Sequence, residues 1–187
     1  MRRFVLVSRT GRTDGRFRSL REGGRLDLVH QCAVQALFLS HAHRRDTVFT
    51  ACLGGPPRPP LAVTVDAAGL HDIRTDERTW EDVLRKVLSG KPHPGFSAAA
   101  ASLQEIVATA DPVFVLHERG EPVETVPIDG DPTFVLGDQV GLPKADEAFV
   151  LRRGRKVSLG RRHYLAATCV AAIQHVLDRR EDATRGP

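Results

Sequence analysis

The chain has 187 residues, of which 41% are hydrophobic and 27% are charged, and its formal net charge is +4. This length leaves little room for two full domains, and this composition excludes a wholly disordered chain. We therefore predict one folded domain over residues 1–187, with a disordered tail over residues 181–187.

The N-terminal half alternates predicted strands and helices. Apolar runs predict strands over residues 3–7, 47–53 and 61–65. Apolar residues at helical spacing predict a helix over residues 26–40. A second helix is predicted to begin at Thr75 or Asp76, either of which can cap it, and to end at Leu88. A third is predicted over residues 96–110.

The C-terminal half continues the alternation. Strands are predicted over residues 113–116, 123–128, 133–136 and 156–159, with a turn over 117–122. Helices are predicted from Pro143 to about residue 151 and over residues 164–180. Alternating strands and helices predict the α/β class, with helices on both faces of one sheet.

Basic residues cluster in two segments. Residues 1–25 contain eight arginines and two acids, and residues 151–162 contain five arginines, one lysine and no acid. Arginine binds phosphate in a bidentate manner, which suits a nucleic-acid partner. The alternative is an ordinary solvated face, which is the usual role of a charge run. The two segments can form one surface if they meet in space.

The cysteines, the histidines and the N-terminal segment indicate which cofactors and which cellular compartment to expect. The three cysteines, Cys32, Cys52 and Cys169, have no redox or metal spacing, so buried core positions are expected. His41 and His43 lack neighbouring ligands, so no metal site is expected. The apolar segment over residues 4–7 is too short for a secretory signal, and no run is long enough to span a membrane. These features favour a cytoplasmic protein.

Two glycine-containing loops follow predicted strands in the C-terminal half, over residues 136–143 and 157–160. Ligands of open α/β sheets bind beyond the carboxyl ends of strands, and glycine lets the backbone approach them closely. A Gly-Asp-x-x-Gly segment is also common as a plain turn. Neither a dinucleotide fingerprint nor a Walker sequence is present.

Several segments, taken together and in order, resemble one known family. They are Gly24-Arg25-Leu26-Asp27-Leu28, Phe38-Leu39-Ser40-His41, Arg44-Arg45-Asp46, Leu53-Gly54-Gly55-Pro56-Pro57-Arg58-Pro59-Pro60, Asp76-Glu77-Arg78, Leu116-His117 and Gly137-Asp138-Gln139-Val140-Gly141. The ordered set is similar to the tRNA pseudouridine N1-methyltransferases, which belong to the SPOUT class of S-adenosylmethionine-dependent RNA methyltransferases. The resemblance covers residues 3–180.

The resemblance implies a fold, a donor and partners. The fold is a mostly parallel sheet flanked by helices, with a C-terminal trefoil knot, and the assembly is a homodimer. S-adenosylmethionine is the methyl donor, no metal is needed, and the substrate is tRNA or another structured RNA, modified at position 54 in archaeal relatives. The donor pocket implied for this chain comprises Leu116, Gly137, Val157, Ser158, Leu159, Gly160, Arg161, Arg162 and Cys169.

Polar side chains near helix ends are candidates for the chemistry. N1 of pseudouridine carries a weakly acidic proton that must leave when the methyl group arrives. The candidates are Arg25, Asp27, Arg44, Arg45, Asp46 and Asp138. We predict catalytic roles for Arg45 and Asp46 first, and for Arg25 and Asp27 beside them. A salt bridge that fixes the loop before the second strand is an equally good interpretation of Asp46.

Three functions remain open from the sequence. The first is methylation of N1 of a pseudouridine in tRNA. The second is non-catalytic RNA binding on a SPOUT scaffold, which the basic segments alone support. The third is a SPOUT methyltransferase that acts on another RNA site.

Overall fold

In the computed structural model, which describes residues 1–185, seven strands form one sheet and five α-helices pack on it. The strands are β1 (Arg2–Ser8), β2 (Thr47–Leu53), β3 (Leu61–Asp66), β4 (Phe96–Ala99), β5 (Val113–Pro122), β6 (Thr133–Gly137) and β7 (Arg155–Ser158). The helices are α1 (Leu26–Leu37), α2 (Glu77–Leu88), α3 (Leu103–Val107), α4 (Lys144–Val150) and α5 (Ala166–Arg185).

The strand order is β4-β3-β2-β1-β6-β5-β7. Strand β1 pairs in parallel with β2 and β6, and β5 pairs in parallel with β6 and β7. Strand β3 pairs antiparallel with β2, and β4 pairs antiparallel with β3 at the margin of the sheet. Six strands, all except β3, therefore end at one edge of the sheet, which we call the carboxyl edge. The predicted fold class, a mostly parallel sheet flanked by helices, is confirmed. The trefoil knot remains a prediction.

Both faces of the sheet are covered, because side chains alternate between faces along each strand. Phe4 and Leu6 of β1 belong to a core shared with α1, α2 and α5. Val5 and Val7 belong to a second core with α3 and α4. Burial on both sides explains why the β1 and β2 sequences are nearly continuous apolar runs.

The signal for the start of α2 is confirmed. The side chain of Asp76 accepts a hydrogen bond from the backbone N–H of Thr79 at 2.9 Å, which satisfies a free donor in the first helical turn. The apolar face of α2 then buries Trp80, Val83 and Leu84 against the sheet. This arrangement places the end of α2 beside the segment that follows β1, as described below.

Two predicted elements are wrong. Residues 96–110 are not one helix: Phe96–Ala99 is a strand that pairs with β3, and α3 covers only Leu103–Val107. Residues 123–128 form no strand, because the chain turns there, with Thr125 donating to the carbonyl of Pro122 at 3.0 Å. Val123 and Val126 are still buried in the core. The predicted turn over residues 117–122 belongs to β5, whose register against β7 shifts between Leu116 and Glu121.

Helix α5 runs through Arg185, beyond the start of the expected tail. Residues 181–185 of the predicted tail belong to this helix, and Gly186 and Pro187 lie outside the described residues. At the opposite edge of the sheet, which we call the amino edge, Glu181 of this helix pairs with the guanidinium of Arg2. Among residues 1–185, no helix combines the length and apolar content that a membrane crossing requires.

A network of charges holds α5 to the amino edge. Arg2 is buried and donates to Gln174 at 2.7 Å and to Asp178 at 2.6 Å, and Arg44 donates to the two oxygens of Asp178 at 2.7 and 2.6 Å. Burial raises the pKa of Asp178, but the hydrogen bonds from Arg44 and Arg2 outweigh it and leave that pKa below its ordinary value. The network fixes where the other end of α5 lies, at the carboxyl edge.

Candidate functional site

A cavity of about 610 Å³ lies at the carboxyl edge, beyond the ends of β5, β6 and β7. Its walls are residues 115–118 of β5, where the pairing with β6 ends, the end of β6 with the loop after it, and the end of β7 with the loop that leads to α5. Helices α1 and α4 contribute one residue each, and α5 contributes Ala166 and Cys169. This is where ligands bind in open α/β sheets. The two glycine-containing loops singled out in the sequence both lie on its wall.

Seven of the nine predicted donor-site residues line this cavity. They are Leu116, Gly137, Val157, Leu159, Gly160, Arg162 and Cys169. Ser158 does not line it: its buried hydroxyl donates to the carbonyl of Gly160 at 3.0 Å and accepts from the N–H of Gly160 at 2.9 Å. Arg161 is exposed beside the cavity and also does not line it. Ser158 thus shapes the turn on which the lining residues sit.

The loop after β6 is held in one shape by short backbone contacts. A Cβ atom on Gly137 would lie 2.2 Å from the nitrogen of Leu142 and 2.3 Å from the carbonyl carbon of Gly141. The buried carboxylate of Asp138 accepts from the N–H groups of Val140 at 2.9 Å and Arg9 at 2.8 Å. Glycine is therefore needed at 137 because the loop folds back on it. Asp138 ties the loop to the segment after β1.

Charged side chains that the sequence analysis missed form one wall of the cavity. Nδ1 of His117 accepts from the backbone N–H of Arg119 at 3.0 Å and lies 3.3 Å from the carboxylate of Glu118, and Nε2 lies 3.8 Å from Glu147. Glu147 is paired with Lys156 at 2.6 Å. A backbone hydrogen bond and the nearby charges of His117, His163 and Arg119 lower the pKa of Glu118. No spacing in the sequence links these residues, because three different elements carry them.

Arg25 and Asp27 form an ion pair close to the cavity. Nε of Arg25 lies 3.0 Å from one carboxylate oxygen of Asp27, and Nη2 lies 3.0 Å from the other. The hydrogen bond with Asp27 raises the pKa of Arg25, with a smaller contribution from Asp138. Leu28, the next residue after Asp27, lines the cavity. The structure therefore brings this predicted pair to the candidate site.

Arg44, Arg45 and Asp46 lie at the opposite edge of the sheet. The carboxylate of Asp46 lies 3.2 Å from Nε of Arg2, and its carbonyl accepts from the N–H of Arg2 at 2.7 Å. Arg44 belongs to the α5 network, and Arg45 is exposed. Within one protomer these residues are not brought together with the cavity. The alternative interpretation of Asp46, a salt bridge that fixes the start of β2, matches its contacts.

The cysteines differ in access to the site. Burial raises the pKa of Cys32 and of Cys52 to about 12 in each case, so both thiols stay protonated at neutral pH. Cys169 lies on the cavity wall and is partly exposed, although burial also raises the pKa of its thiol. Within residues 1–185, no three His, Cys, Asp or Glu side chains are grouped so that they could hold a metal ion.

Comparison with known proteins adds the following. The family model described as "Putative SAM-dependent RNA methyltransferase" matches residues 1–182. The tRNA (pseudouridine(54)-N(1))-methyltransferase of Methanocella arvoryzae is 34% identical over 193 residues, covering 96% of this chain and all of that relative. The enzyme of the same name from Methanopyrus kandleri is 35% identical over 171 residues, covering 87% of this chain and 84% of the relative.

A solved structure shares the fold. Nep1 from Archaeoglobus fulgidus, bound to S-adenosylhomocysteine, superimposes with a TM-score of 0.67 at 18% identity. The superposition covers 83% of this chain and 71% of Nep1. At that identity the likeness concerns the fold alone.

Proposed function

The chain belongs to the SAM-dependent RNA methyltransferase family, and from this membership we propose that it methylates N1 of a pseudouridine in tRNA. One observation carries the proposal: relatives named as tRNA pseudouridine-54 N1-methyltransferases match this chain over almost its full length at 34–35% identity. S-adenosylmethionine is the methyl donor, and the whole chain acts as one domain. The cavity at the carboxyl edge supports a small-molecule donor site in this chain.

The cavity residues suit the donor. Apolar side chains that include Leu116, Val157 and Leu159 offer a surface for a flat ring, and the glycines at 137 and 160 leave backbone groups accessible. The acidic wall, formed by Glu118 and Glu147, offers partners for the ammonium group of an amino-acid end. When bound, the donor supplies an electrophilic methyl group on sulfur. The protein must hold that group in line with the attacking nitrogen.

The acceptor is a nitrogen that only pseudouridine offers. Uridine uses N1 for its bond to the sugar, whereas pseudouridine is joined through carbon and keeps an N1–H. The N1–H bond breaks and its proton passes to water, while the new N1–CH3 bond forms and the donor leaves as neutral S-adenosylhomocysteine. Negative charge spreads onto the base oxygens as the proton departs. A guanidinium near those oxygens would stabilise that charge. Neither a metal nor a covalent enzyme intermediate is required.

Among the four predicted catalytic residues, we assign the substrate-facing role to Arg25 and Asp27. The pair directly precedes Leu28, which lines the cavity, so a base placed at the mouth is within its reach. Asp27 orients the guanidinium through two hydrogen bonds. Arg45 and Asp46 would reach a substrate only where a second subunit presents them, because in their own protomer they lie at the far edge of the sheet.

We further propose a cytoplasmic homodimer with a C-terminal knot. Most of α5 packs against its own protomer, so the width of its apolar band is not by itself a reason for a dimer. The support comes instead from the cavity mouth, where Val140, Tyr164 and Leu165 are 59%, 48% and 71% exposed. A second copy that covers this apolar mouth would complete the site. Light scattering of the wild type and of Leu165→Lys tests this proposal. We expect the wild type to be a dimer and the variant to be a monomer, and a monomeric wild type would refute the proposal.

The function itself is tested in cells. Bulk tRNA from a strain that lacks the protein is digested to nucleosides and compared with wild-type tRNA by mass spectrometry. We expect N1-methylpseudouridine to disappear and unmethylated pseudouridine to increase by the same amount. Unchanged N1-methylpseudouridine together with loss of another methylated nucleoside would refute the assignment.

A further inference from the structure

We infer that a strip of unpaired arginines along the carboxyl edge, on both sides of the cavity mouth, is the phosphate-binding surface for the RNA. The inference rests on the proposed function for the identity of the partner. Its members are Arg9, Arg16, Arg18, Arg21, Arg58, Arg161 and Arg162, which we call the arginine strip. All seven are exposed, and none forms an ion pair with another described residue.

The strip follows from the sheet topology. Arg9 follows β1, Arg58 lies in the loop after β2, and Arg161 and Arg162 follow β7, so all four lie beyond carboxyl ends of parallel strands. Four strand spacings separate β2 from β7, which is roughly 19 Å along the edge. The cavity opens between the two groups, since it lies beyond β5, β6 and β7.

The segment after β1 is held rigidly in place. Thr13 donates its N–H to the carbonyl of Pro56 at 2.9 Å, and its hydroxyl accepts from the N–H of Arg58 at 2.8 Å. Gly55 donates to the carbonyl of Gly11 at 2.9 Å, and a Cβ atom on Gly55 would lie 2.3 Å from the carbonyl oxygen of Thr10. The proline-rich loop therefore supports the segment that carries four of the arginines. A preorganised surface loses little conformational entropy on binding.

The end of α2 positions two further members of the strip. Arg85 donates to the carbonyl oxygens of Phe17 at 3.3 Å and Arg18 at 3.4 Å, and its guanidinium lies 5.2 Å from the centre of the Phe17 ring. These contacts fix the backbone while the side chains of Arg16 and Arg18 project to solvent. Arg85 therefore serves the fold and not the surface.

Most acidic side chains near the arginine strip already have hydrogen-bond or ion-pair partners. Asp14 pairs with Arg12 at 2.8 Å, Asp27 pairs with Arg25, and Asp138 is buried under backbone N–H groups. Within residues 9–25, Glu22 is the remaining exposed acid. The local charge of the strip is thus strongly positive. Arginine side chains without carboxylate partners are free to bind phosphate in a bidentate manner.

The second basic segment of the sequence divides in two. Arg152 and Arg153 precede β7 and lie at the amino edge, whereas Arg161 and Arg162 follow β7 and belong to the strip. Of the second basic segment, residues 151–162, only Arg161 and Arg162 can therefore share a surface with the arginines of the first segment. This division supplies a matched control at the opposite edge of the same sheet.

The test compares two triple variants with equal charge change. One replaces strip residues, Arg9→Gln, Arg18→Gln and Arg58→Gln, and the other replaces exposed amino-edge residues, Arg152→Gln, Arg153→Gln and Arg179→Gln. Binding of an unmodified tRNA transcript is measured by fluorescence anisotropy from low to moderate salt. Calorimetry with S-adenosylhomocysteine reports whether each variant keeps its donor site.

We expect the strip triple to bind at least about tenfold more weakly and to lower the slope of log affinity against log salt by about 2–3, since each phosphate contact contributes roughly 0.9. The amino-edge triple should keep the wild-type slope, and both should bind S-adenosylhomocysteine normally. A wild-type slope in the strip triple, or an equal drop in both triples, overturns the inference. If the protein methylates RNA at a nucleoside other than pseudouridine, the proposed function is wrong, but the arginine strip can still be the RNA-binding surface.

Discussion

Replacing Gly137 by alanine is the sharpest structural perturbation of the candidate donor site. The added Cβ atom would lie 2.2 Å from the nitrogen of Leu142, about 1.2 Å short of the 3.4 Å at which ordinary contact begins. The obstructing atoms are backbone, so no side-chain rotation can relieve the contact. The loop over residues 137–142, which lines the cavity, must shift by about an ångström.

Two quantities change as a result. Overpacking of this kind costs about 1–3 kcal/mol in the free energy of unfolding, which lowers Tm by about 2–12 °C for a domain of this size. The shifted loop also carries part of the cavity wall, and we expect the affinity for S-adenosylmethionine to fall at least tenfold, or about 1.4 kcal/mol. Calorimetric titration and thermal unfolding measure the two effects separately.

Gly69→Ala is the matched control. The Cβ atom it adds would lie 3.5 and 3.7 Å from atoms of Gly95, which is ordinary contact, and position 69 is remote from the cavity. Both the Tm and the donor affinity of this variant should stay near the wild-type values. If Gly137→Ala behaved like Gly69→Ala in both assays, the loop geometry given for the site would be incorrect.

Three further predictions concern the remaining parts of the account. Asp178→Asn should lower the free energy of unfolding at pH 7 by about 1–3 kcal/mol, because Arg2 and Arg44 lose a charged acceptor. Folding lowers the pKa of Asp178, so the stability difference between variant and wild type should be complete above the ordinary pKa of 3.8 and should shrink below it. Denaturant titrations between pH 7 and pH 3 measure this difference. Alkylation followed by peptide mass spectrometry should label Cys169 well before the buried Cys32, and S-adenosylhomocysteine should slow that labelling; equal labelling of the two would place Cys169 away from the donor. Asp27→Asn should reduce kcat at least tenfold with little change in donor affinity, whereas Asp46→Asn should do so only if a second subunit brings Asp46 to the site. Unchanged turnover in both variants would return Asp27 and Asp46 to structural roles.

Sequence patterns were reliable where one local signal dominates. The bounds of β2 were predicted correctly, since a buried apolar run ends there at two glycines. The start of α2 was also predicted, because the Asp76 cap is encoded within four residues. The cavity loops were found because glycines follow strand ends, and parallel topology gathers strand ends at one edge.

Long-range pairing explains the errors. The alanine-rich residues 96–101 have high helix propensity, yet Phe96–Ala99 is a strand because β3 offers an unpaired edge. The shifted register of β5 against β7 likewise depends on Gly120, whose added Cβ would lie 2.4 Å from the carbonyl carbon of Val157. The local sequence of a strand does not indicate which strand it pairs with, so neither pairing could be predicted.

The polar part of the site was harder to predict than its glycines. Arg45 and Asp46 stand at a helix-to-strand junction that looks like a functional loop, but this junction lies at the start of β2, at the edge of the sheet opposite the cavity. Glu118 and Glu147 reach the cavity from β5 and α4, which only the folded sheet brings together. Charge counts indicated a basic surface, but only the ion pairs separate free arginines from engaged ones.

The central claim is methyl transfer to N1 of pseudouridine, and one measurement addresses it directly. Purified protein is incubated with methyl-labelled S-adenosylmethionine and two tRNA transcripts of the same sequence, one with uridine and one with pseudouridine at position 54. Each transcript is then digested and its nucleosides are analysed by mass spectrometry. We expect labelled N1-methylpseudouridine from the pseudouridine transcript and no labelled product from the uridine transcript. Equal labelling of both transcripts, or label on a different nucleoside, would contradict it.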